Sequence, residues 1–396
     1  MSGQYLFNVL VGHMPKKKKI STSDFSARME NLREVVSELN KDFKGEVATL
    51  AEDGMIGDVH RTIPTGCAML DSFLRGGIPL GRMVQISGRP GVGKSTLASR
   101  ILGNCQKEGG IAIVLDAEKS WTSERVKSLG LDPTALIQFE VNTVEDGFSV
   151  IQATLNKLHD SSVPVEDQPP IVIVWDTIAA TPTTKELDPE AVGNPMDKPK
   201  ILARGIRRSY ETLRMCNAAL IFVNQVITKL AGPAGASEDV PGGWGLKFGV
   251  SQDIRLKEAF NGAINLSGEK VGNMVQIRTM KNKIHGSMTR DFQIKIPFLY
   301  DRGFDSDLAD LFFLVEGTTL TGSTKKLGGD CDAIRKKIRG MYEVDFNGTT
   351  HKVHMLDFKS LVDETEGMRE WLRGLVEERL LRPSLRGSAV SDVEEN

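Results

Sequence analysis

Four short apolar runs recur in the chain, and each is followed by a stretch long enough to form a helix. They are Met83 to Ser87, Ile111 to Leu115, Ile171 to Trp175 and Leu220 to Val223. Because apolar residues predominate in each run, the pattern predicts strands that are covered on both faces. Strands that alternate with helices predict an α/β fold built on a doubly wound, mainly parallel sheet.

A second apolar pattern, near the start of the chain, has helical spacing. Ser23 can cap the start of this predicted N-terminal helix and Gly45 can end it. The helix packs either on its own domain or on a neighbouring subunit, and the sequence leaves both alternatives open. The apolar positions that fall on one face are Phe25, Met29, Leu32, Val36, Leu39 and Phe43.

The end of the chain predicts a small α+β or helical region from Lys325 to Arg382, with Met368, Leu372, Leu375 and Leu380 on a buried helix face. The region is either a domain that gathers DNA or regulates the protein, or a structural cap, and both alternatives stay open.

The predicted organisation divides the chain into five parts. They are an irregular basic segment over 1–21, the N-terminal helix and a linker over 22–60, a core over 61–322, a small C-terminal domain over 323–384 and an acidic tail over 385–396.

Composition narrows the class of protein. The apolar runs are far shorter than the ~18 residues of a membrane span, so we expect no membrane association. The 4 cysteines show no CxxC spacing and no apolar signal region follows the N-terminus, which predicts reduced thiols and a cytoplasmic location. The formal net charge is −2, so nucleic-acid binding requires local basic patches, and Lys198 to Arg208 forms one. The run from Lys16 to Lys19 is either a DNA-binding arm or a solvated tail.

The first apolar run leads directly into a phosphate-binding motif. The sequence G-x-x-x-x-G-K-[ST] follows a strand and precedes a helix, the context that supports a P-loop. Its glycines let backbone amides surround a phosphate, Lys94 reaches the terminal phosphates, and the Ser95 hydroxyl is a ligand for Mg²⁺. We therefore predict ATP and Mg²⁺ as cofactors, bound by Gly88, Arg89, Pro90, Gly91, Val92, Gly93, Lys94, Ser95 and Thr96.

The other apolar runs end in polar residues that should converge on this loop, because ligands bind at the carboxyl ends of parallel strands. These residues are Asp116, Glu118, Asp176, Asn224 and Gln225. In phosphoryl transfer, Asp176 would hold the metal shell, Glu118 would polarise the attacking water, and Gln225 would contact the γ-phosphate. A single strand-end aspartate can also merely cap a loop.

The segment from Val226 to Pro241 is rich in small and polar residues and begins directly after Gln225. It predicts a flexible loop whose order depends on the nucleotide. The alternative is a surface loop without this function.

These residues together resemble the RecA recombinases, including the phage relatives of the UvsX type, from about Leu39 to Val315. The Asn224-Gln225 strand end and Lys281-Asn282-Lys283 make the resemblance specific, whereas the P-loop is shared by many NTPases. The other matching stretches are Thr65-Gly66 with Leu70-Asp71, Gly76-Gly77-Ile78-Pro79, Asp116-Ala117-Glu118, Val174-Trp175-Asp176, and Gly242-Gly243 with Leu246-Lys247-Phe248.

The resemblance implies roles that the spacing does not. Lys281 and Lys283 would reach the γ-phosphate bound by a neighbouring subunit, and Phe248 would couple a DNA loop to that subunit. Arg125 stands where the family has an aromatic residue that stacks on adenine, and Trp121 is an alternative. Single-stranded DNA would contact the loop after Gln225 and a loop from about Glu186 to Lys200, with Lys198, Lys200, Arg204, Arg207, Arg208, Lys229, Gly242, Gly243 and Lys247 as the predicted DNA-binding residues.

The implied fold is a RecA-like P-loop NTPase core, and the implied protein is a DNA-dependent ATPase. It would form a helical filament on single-stranded DNA and exchange strands with homologous double-stranded DNA, with single-strand-binding and loader proteins as further partners. A hexameric helicase or DNA motor and a regulator related to the recombinases are the alternatives. Lys281 and Lys283, together with an N-terminal helix of the polymerisation type, favour the filament over the ring. The intact Lys94, Glu118 and Gln225 argue against the regulator.

Overall fold

The computed structural model describes residues 22–42, 59–191, 196–230, 236–284, 293–319, 326–329, 331–337 and 340–381. The predicted basic segment over 1–21 and acidic tail over 385–396 lie outside the described residues. Contacts divide the chain into two units, residues 1–58 and residues 59–396. None of the described helices combines the length and the apolar composition needed to cross a membrane.

The first helix belongs to the first unit, and the other elements belong to the second, where helices and strands alternate through the first half. The helices are α1 Thr22–Asp42, α2 Ala68–Leu74, α3 Lys94–Lys107, α4 Ser123–Ser128, α5 Val144–Leu158, α6 Thr184–Leu187, α7 Asp197–Met215, α8 Gly243–Gly249, α9 Ser306–Glu316, α10 Phe358–Glu364 and α11 Met368–Leu381. The strands up to the middle of the chain are β1 Thr62–Ile63, β2 Ile78–Pro79, β3 Met83–Gly88, β4 Ile111–Asp116, β5 Leu136–Glu140, β6 Ile171–Asp176 and β7 Ala218–Gln225. The later strands are β8 Ile227–Leu230, β9 Ala236–Asp239, β10 Gln252–Leu266, β11 Glu269–Asn282, β12 Gln293–Leu299, β13 Gly303–Phe304, β14 Thr318–Thr319, β15 Lys326–Leu327, β16 Ile334–Lys336, β17 Met341–Phe346 and β18 Thr349–His354.

The first unit is represented by α1, which confirms the predicted N-terminal helix. Its described apolar positions include Leu32 and Leu39, both exposed, and Val36, which is half-buried. Gly45, the predicted end of the helix, lies outside the described residues.

A nine-stranded sheet forms the centre of the second unit, in the order β13-β12-β11-β10-β3-β7-β6-β4-β5. The strands from β10 to β5 in this order are parallel, and β10 to β13 are joined by antiparallel pairs. All four predicted strands are present and adjacent, which confirms the mainly parallel α/β core. The antiparallel half was not predicted, because polar residues interrupt β10 and β11 at alternate positions.

Helices cover both faces of the sheet, and alternate residues of each strand supply two separate apolar layers. In β3, Val84 and Ile86 belong to one layer and Met83 to the other. In β6, Val172 and Val174 lie in the same layer as Val84 and Ile86, and Trp175 lies in the other layer. Burial on both faces explains why these strands read as continuous apolar runs.

The C-terminal part forms a small α+β arrangement, as predicted. Strands β16, β17 and β18 make an antiparallel sheet, followed by α10 and α11. Met368 and Leu372 are buried and Leu375 is half-buried, whereas the Leu380 side chain lies outside the described part. These side chains belong to the same apolar cluster as core helix α3, so this region packs directly on the core.

Candidate nucleotide-binding site

The P-loop connects the carboxyl end of β3 to the first turn of α3. Gly91 and Gly93 have φ values of +76° and +96°, in the left-handed region that side chains with a Cβ disfavour. A Cβ on Gly93 would also lie 2.8 Å from the Phe298 ring and 2.9 Å from the Phe304 ring. These conformations match a loop whose backbone amides, together with the start of α3, can surround a phosphate.

Lys94 is the first residue of α3, and its side chain folds back over the loop. Its Nζ donates a hydrogen bond of 2.9 Å to the Arg89 carbonyl, and the residue is only 7% exposed. Burial lowers the pKa of Lys94, while the negative charges of Asp176 and Glu118 raise it. The ammonium group is therefore held at the loop with two carboxylates nearby.

Asp176 ends β6 and is buried beside the P-loop. Its Oδ2 accepts a hydrogen bond of 3.1 Å from the indole Nε1 of Trp121. Burial raises the pKa of Asp176, and the Ser95 hydroxyl and the Trp121 indole oppose that rise. Within the described chain, the buried Oδ1 has no hydrogen-bond partner. A buried carboxylate oxygen of this kind, beside the Ser95 hydroxyl, fits a hydrated Mg²⁺ ion.

Glu118 follows β4 and receives hydrogen bonds from the ends of two neighbouring strands. The Thr177 hydroxyl donates to Oε1 at 2.9 Å, and the Gln225 Nε2 donates to the same oxygen at 3.2 Å. The predicted catalytic carboxylate and the predicted phosphate sensor thus lie in direct contact.

Two of the five strand-end residues are engaged in holding the backbone. Asp116 accepts hydrogen bonds from the amides of Ser120 and Trp121 and from Gln138 Nε2. Asn224 is fully buried and joins the two ends of the following segment, because its Nδ2 donates to the Pro241 carbonyl at 2.7 Å. The strand-end pattern alone does not distinguish these bonding roles from contact with a nucleotide.

Arg125 lies on α4, near the carboxylate of Asp176. Its Nη1 donates to the Ser120 carbonyl at 2.9 Å, and its guanidinium carbon lies 5.8 Å from the centre of the Trp121 ring. Trp121 is buried, so Arg125 is the more exposed of the two candidates for contact with a base.

Lys281 lies near the end of β11 and Lys283 directly follows the strand, and both side chains reach the carboxyl end of α8. Both Nζ atoms donate hydrogen bonds of 3.0 Å to the Phe248 carbonyl, and Lys281 also donates to the Lys247 carbonyl. Burial, together with the charge of Lys283, lowers the pKa of Lys281 to about 8. Both ammonium groups therefore bind the carbonyls that end α8.

Comparisons with known proteins show the family to which this sequence belongs. Residues 30–305 match the model of the RecA N-terminal domain. The chain belongs to the RecA family. It is 33% identical to Protein RecA of Aquifex pyrophilus over 266 residues, covering 66% of this chain and 72% of the relative. It is 30% identical to Protein RecA of Aquifex aeolicus over 329 residues (80% of this chain, 90% of the relative) and 30% identical to that of Chlorobium limicola over 335 residues (82% and 91%).

The segment after Gln225 in this RecA-family chain contains a two-stranded antiparallel pair, β8 with β9, where the sequence predicted a loop. Ile227 and Thr228 are β-branched, which favours the strand. Residues 231–235 and the side chain of Lys229 lie outside the described part of the chain. The pair leads into Gly242 and Gly243, which have φ values of +117° and +67° and begin α8.

Helix α8 presents an aromatic pair to solvent. The Trp244 and Phe248 rings stack with centroids 5.3 Å apart, and both residues are exposed. Lys247 pairs with Asp239 at 2.8 Å, which fastens α8 to the end of β9. The sequence pointed to Phe248 through the family resemblance, but gave no signal for Trp244.

The predicted basic cluster lies on α7, and its members differ in exposure. Lys198 is half-buried and its Nζ donates to the Ala179 carbonyl at 2.9 Å. The remaining members are exposed and recur at helical spacing, namely Lys200, Arg204, Arg207 and Arg208. The predicted first DNA loop contains the end of α6 and the start of α7, while residues 192–195 lie outside the described part.

Proposed function

We propose that this protein is an ATP-dependent recombinase that polymerises on single-stranded DNA and catalyses homologous pairing and strand exchange. Its membership of the RecA family and the P-loop geometry support an ATPase. The proposal that ATP hydrolysis is linked to DNA binding rests on the hydrogen bond between Gln225 and Glu118. It joins the catalytic carboxylate to the residue from which the β8–β9 segment begins.

ATP would bind with its phosphates in the P-loop, hydrogen-bonded by loop amides and by Lys94. Mg²⁺, when bound, would neutralise charge on the phosphates, and Ser95 and Asp176 are the residues that would hold it. Glu118 would orient the attacking water and accept its proton as the oxygen bonds to the γ-phosphorus. The bond from that phosphorus to the β–γ bridging oxygen breaks, which yields ADP and phosphate.

Gln225 would exchange its bond with Glu118 for one with the γ-phosphate. That exchange alters the start of the β8–β9 segment, and Asn224 transmits the change to Pro241 at its other end. Lys281 and Lys283 would leave the Phe248 carbonyl for the phosphate of an adjacent protomer. DNA binding, assembly and hydrolysis would then depend on one another.

Single-stranded DNA would lie along the exposed cations of α7 and the segment that ends at Gly242 and Gly243. Contacts of this type bind phosphates and give little sequence preference. Base complementarity would select the homologous double-stranded partner. We place this activity in the cytoplasm, with single-strand-binding and loader proteins as additional partners.

Electron microscopy of the protein with single-stranded DNA and a slowly hydrolysed ATP analogue tests the proposal. We expect helical filaments for the unmodified protein and none for Lys94→Ala. Closed rings would contradict the proposal and indicate a hexameric motor. Discrete particles without DNA-stimulated phosphate release would replace it with a regulator.

A further inference from the structure

Trp121 contacts residues on both the metal side and the base side of the candidate nucleotide site. It is only 3% exposed, and its backbone amide donates to Asp116 Oδ2 at 3.0 Å. Gln138 Nε2 donates to its backbone carbonyl at 3.1 Å. These two bonds fix the backbone of Trp121 to β4 and to the adjacent strand β5.

The indole edge faces the metal side of the site. Its N–H binds Asp176 Oδ2 at 3.1 Å, which leaves the buried Oδ1 without a partner in the described part of the chain. A carboxylate with one oxygen held in this way has a fixed orientation about its terminal torsion, which is otherwise broad. Such outer hydrogen bonds orient metal ligands and raise metal affinity.

The indole face supports the base side of the site. The Arg125 guanidinium lies over this ring, at a distance compatible with a cation–π interaction. The bond from Arg125 Nη1 to the Ser120 carbonyl holds the same group in place. The ring therefore determines where a planar cation is available to stack on a base.

We propose that Trp121 is a positioning residue that fixes the Asp176 carboxylate through its indole N–H and the Arg125 guanidinium through its ring face. This inference rests on the proposed ATPase function. It assigns two separable roles to one side chain. The indole N–H acts on the metal, and the ring face acts on the base.

Substitution separates these two roles. Trp121→Phe keeps an aromatic face but removes the N–H, whereas Trp121→Leu removes both. We would titrate Mg²⁺ into the full-length protein mixed with a fluorescent, slowly hydrolysed ATP analogue, and measure analogue affinity in EDTA separately. Trp121→Phe should raise the Mg²⁺ concentration at half-saturation about tenfold. Its analogue affinity in EDTA should remain within about twofold of the unmodified protein, while Trp121→Leu should weaken both.

Trp175→Phe is the matched control. Trp175 is also buried, and its indole Nε1 donates at 2.9 Å to the Thr181 hydroxyl rather than to a predicted metal ligand. This change should leave the Mg²⁺ half-saturation unaltered. An equal shift in both Phe variants would mean general loosening of the core and would overturn the inference.

A second variant keeps the test independent of folding at position 121. Gln138 is exposed on β5, and Gln138→Ala removes its bonds to the Trp121 carbonyl and Asp116. A smaller rise in the Mg²⁺ half-saturation is expected. If neither Trp121→Phe nor Gln138→Ala shifts it while the unmodified protein binds the analogue, the inference is wrong. Failure of the unmodified protein to bind the analogue would instead contradict the proposed function.

Discussion

The Gln225 side-chain amide donates a hydrogen bond of 3.2 Å to Glu118 Oε1, the oxygen that also accepts from the Thr177 hydroxyl. Both donors thus bind the same carboxylate oxygen. Gln225 is also the last residue of β7 and precedes the β8–β9 segment. One contact therefore joins the proposed hydrolytic group to the proposed DNA-binding segment.

The first prediction concerns Glu118. Glu118→Gln should reduce the rate of DNA-stimulated ATP turnover about 100-fold, because an amide cannot accept the proton of the attacking water. Affinity for ATP should stay near that of the unmodified protein. Phosphate release and analogue binding measure the two quantities. Glu140→Gln is the control, since Glu140 ends the adjacent strand β5 and pairs at the surface with Lys119. Equal turnover in both variants would remove Glu118 from the mechanism.

Gln225→Ala tests the coupling between the two sites. We expect the variant to hydrolyse ATP without DNA at the rate of the unmodified protein, but to gain less than about a tenth of its stimulation by single-stranded DNA. The physical reason is that Gln225 is the proposed link, not the group that polarises water. Turnover with and without a saturating oligonucleotide supplies the comparison. Full stimulation would show that the signal travels by another route.

Lys281 gives a pH prediction. Burial and the charge of Lys283 lower its pKa to about 8, so an ammonium present at pH 7 is lost as pH rises through that value. Filament assembly should weaken between pH 7 and pH 9, because the neutral amine binds phosphate poorly. Lys281→Arg should assemble over the whole range, since a guanidinium stays charged. Light scattering with DNA and an ATP analogue measures assembly.

Lys257→Arg is the control for this pH profile, because Lys257 is exposed on β10. It should retain the profile of the unmodified protein. If Lys281→Arg also loses assembly between pH 7 and pH 9, Lys281 does not set the pH dependence.

Much of the parallel core could be predicted from the sequence, because strands buried on both faces leave continuous apolar runs. The P-loop was equally clear, since its glycines and Lys94 must occupy fixed positions. The carboxyl ends of the strands placed Glu118, Asp176 and Gln225 near one another before any contact was known. Local pattern and strand direction suffice for predictions of this kind.

The remaining features depend on contacts between distant residues. The sequence suggested Trp121 only as an alternative base-stacking residue, and only the fold brings its N–H to Asp176, 55 positions away. Asn224 resembles a ligand in sequence but bonds the Pro241 carbonyl. Lys198 belongs to a basic run, yet its ammonium binds the Ala179 carbonyl. Side-chain direction decides each of these roles, and composition does not encode it.

The exposure of the α7 cations leads to a prediction about DNA affinity. Lys200→Ala and Arg207→Ala should each weaken binding of single-stranded DNA. Each should also reduce by about 0.7 the slope of log affinity against log salt concentration, as expected for one lost phosphate contact. Lys198→Met should leave the slope unchanged, because its ammonium already binds a carbonyl. Fluorescence anisotropy over a range of salt concentrations measures the slope. An equal reduction for Lys198→Met would contradict this assignment.

The last prediction concerns Asp310, which is buried on α9 between the core and the C-terminal region. Its Oδ1 has no partner within the described chain. Burial raises its pKa to about 8, with further increases from Asp307, Asp305 and Asp71, while Arg373 opposes the shift. The folded state therefore binds a proton that the unfolded state releases near pH 4. Stability from this group is present below pH 4 and is lost as pH rises toward 8.

Asp310→Asn should remove this dependence, because a neutral amide has no proton to lose in the buried site. Between pH 5 and pH 8, the free energy of unfolding of the unmodified protein should fall by up to about 1.4 kcal/mol per pH unit more than that of the variant. Thermal unfolding at the two pH values measures the difference. Asp307→Asn is the contrast, since an amide nitrogen cannot accept one of the two 3.1 Å bonds from Arg369 and the charge pairing is lost, so stability should fall at pH 5, where Asp310 is protonated. Parallel pH profiles for Asp310→Asn and the unmodified protein would show that Asp310 does not titrate in this range.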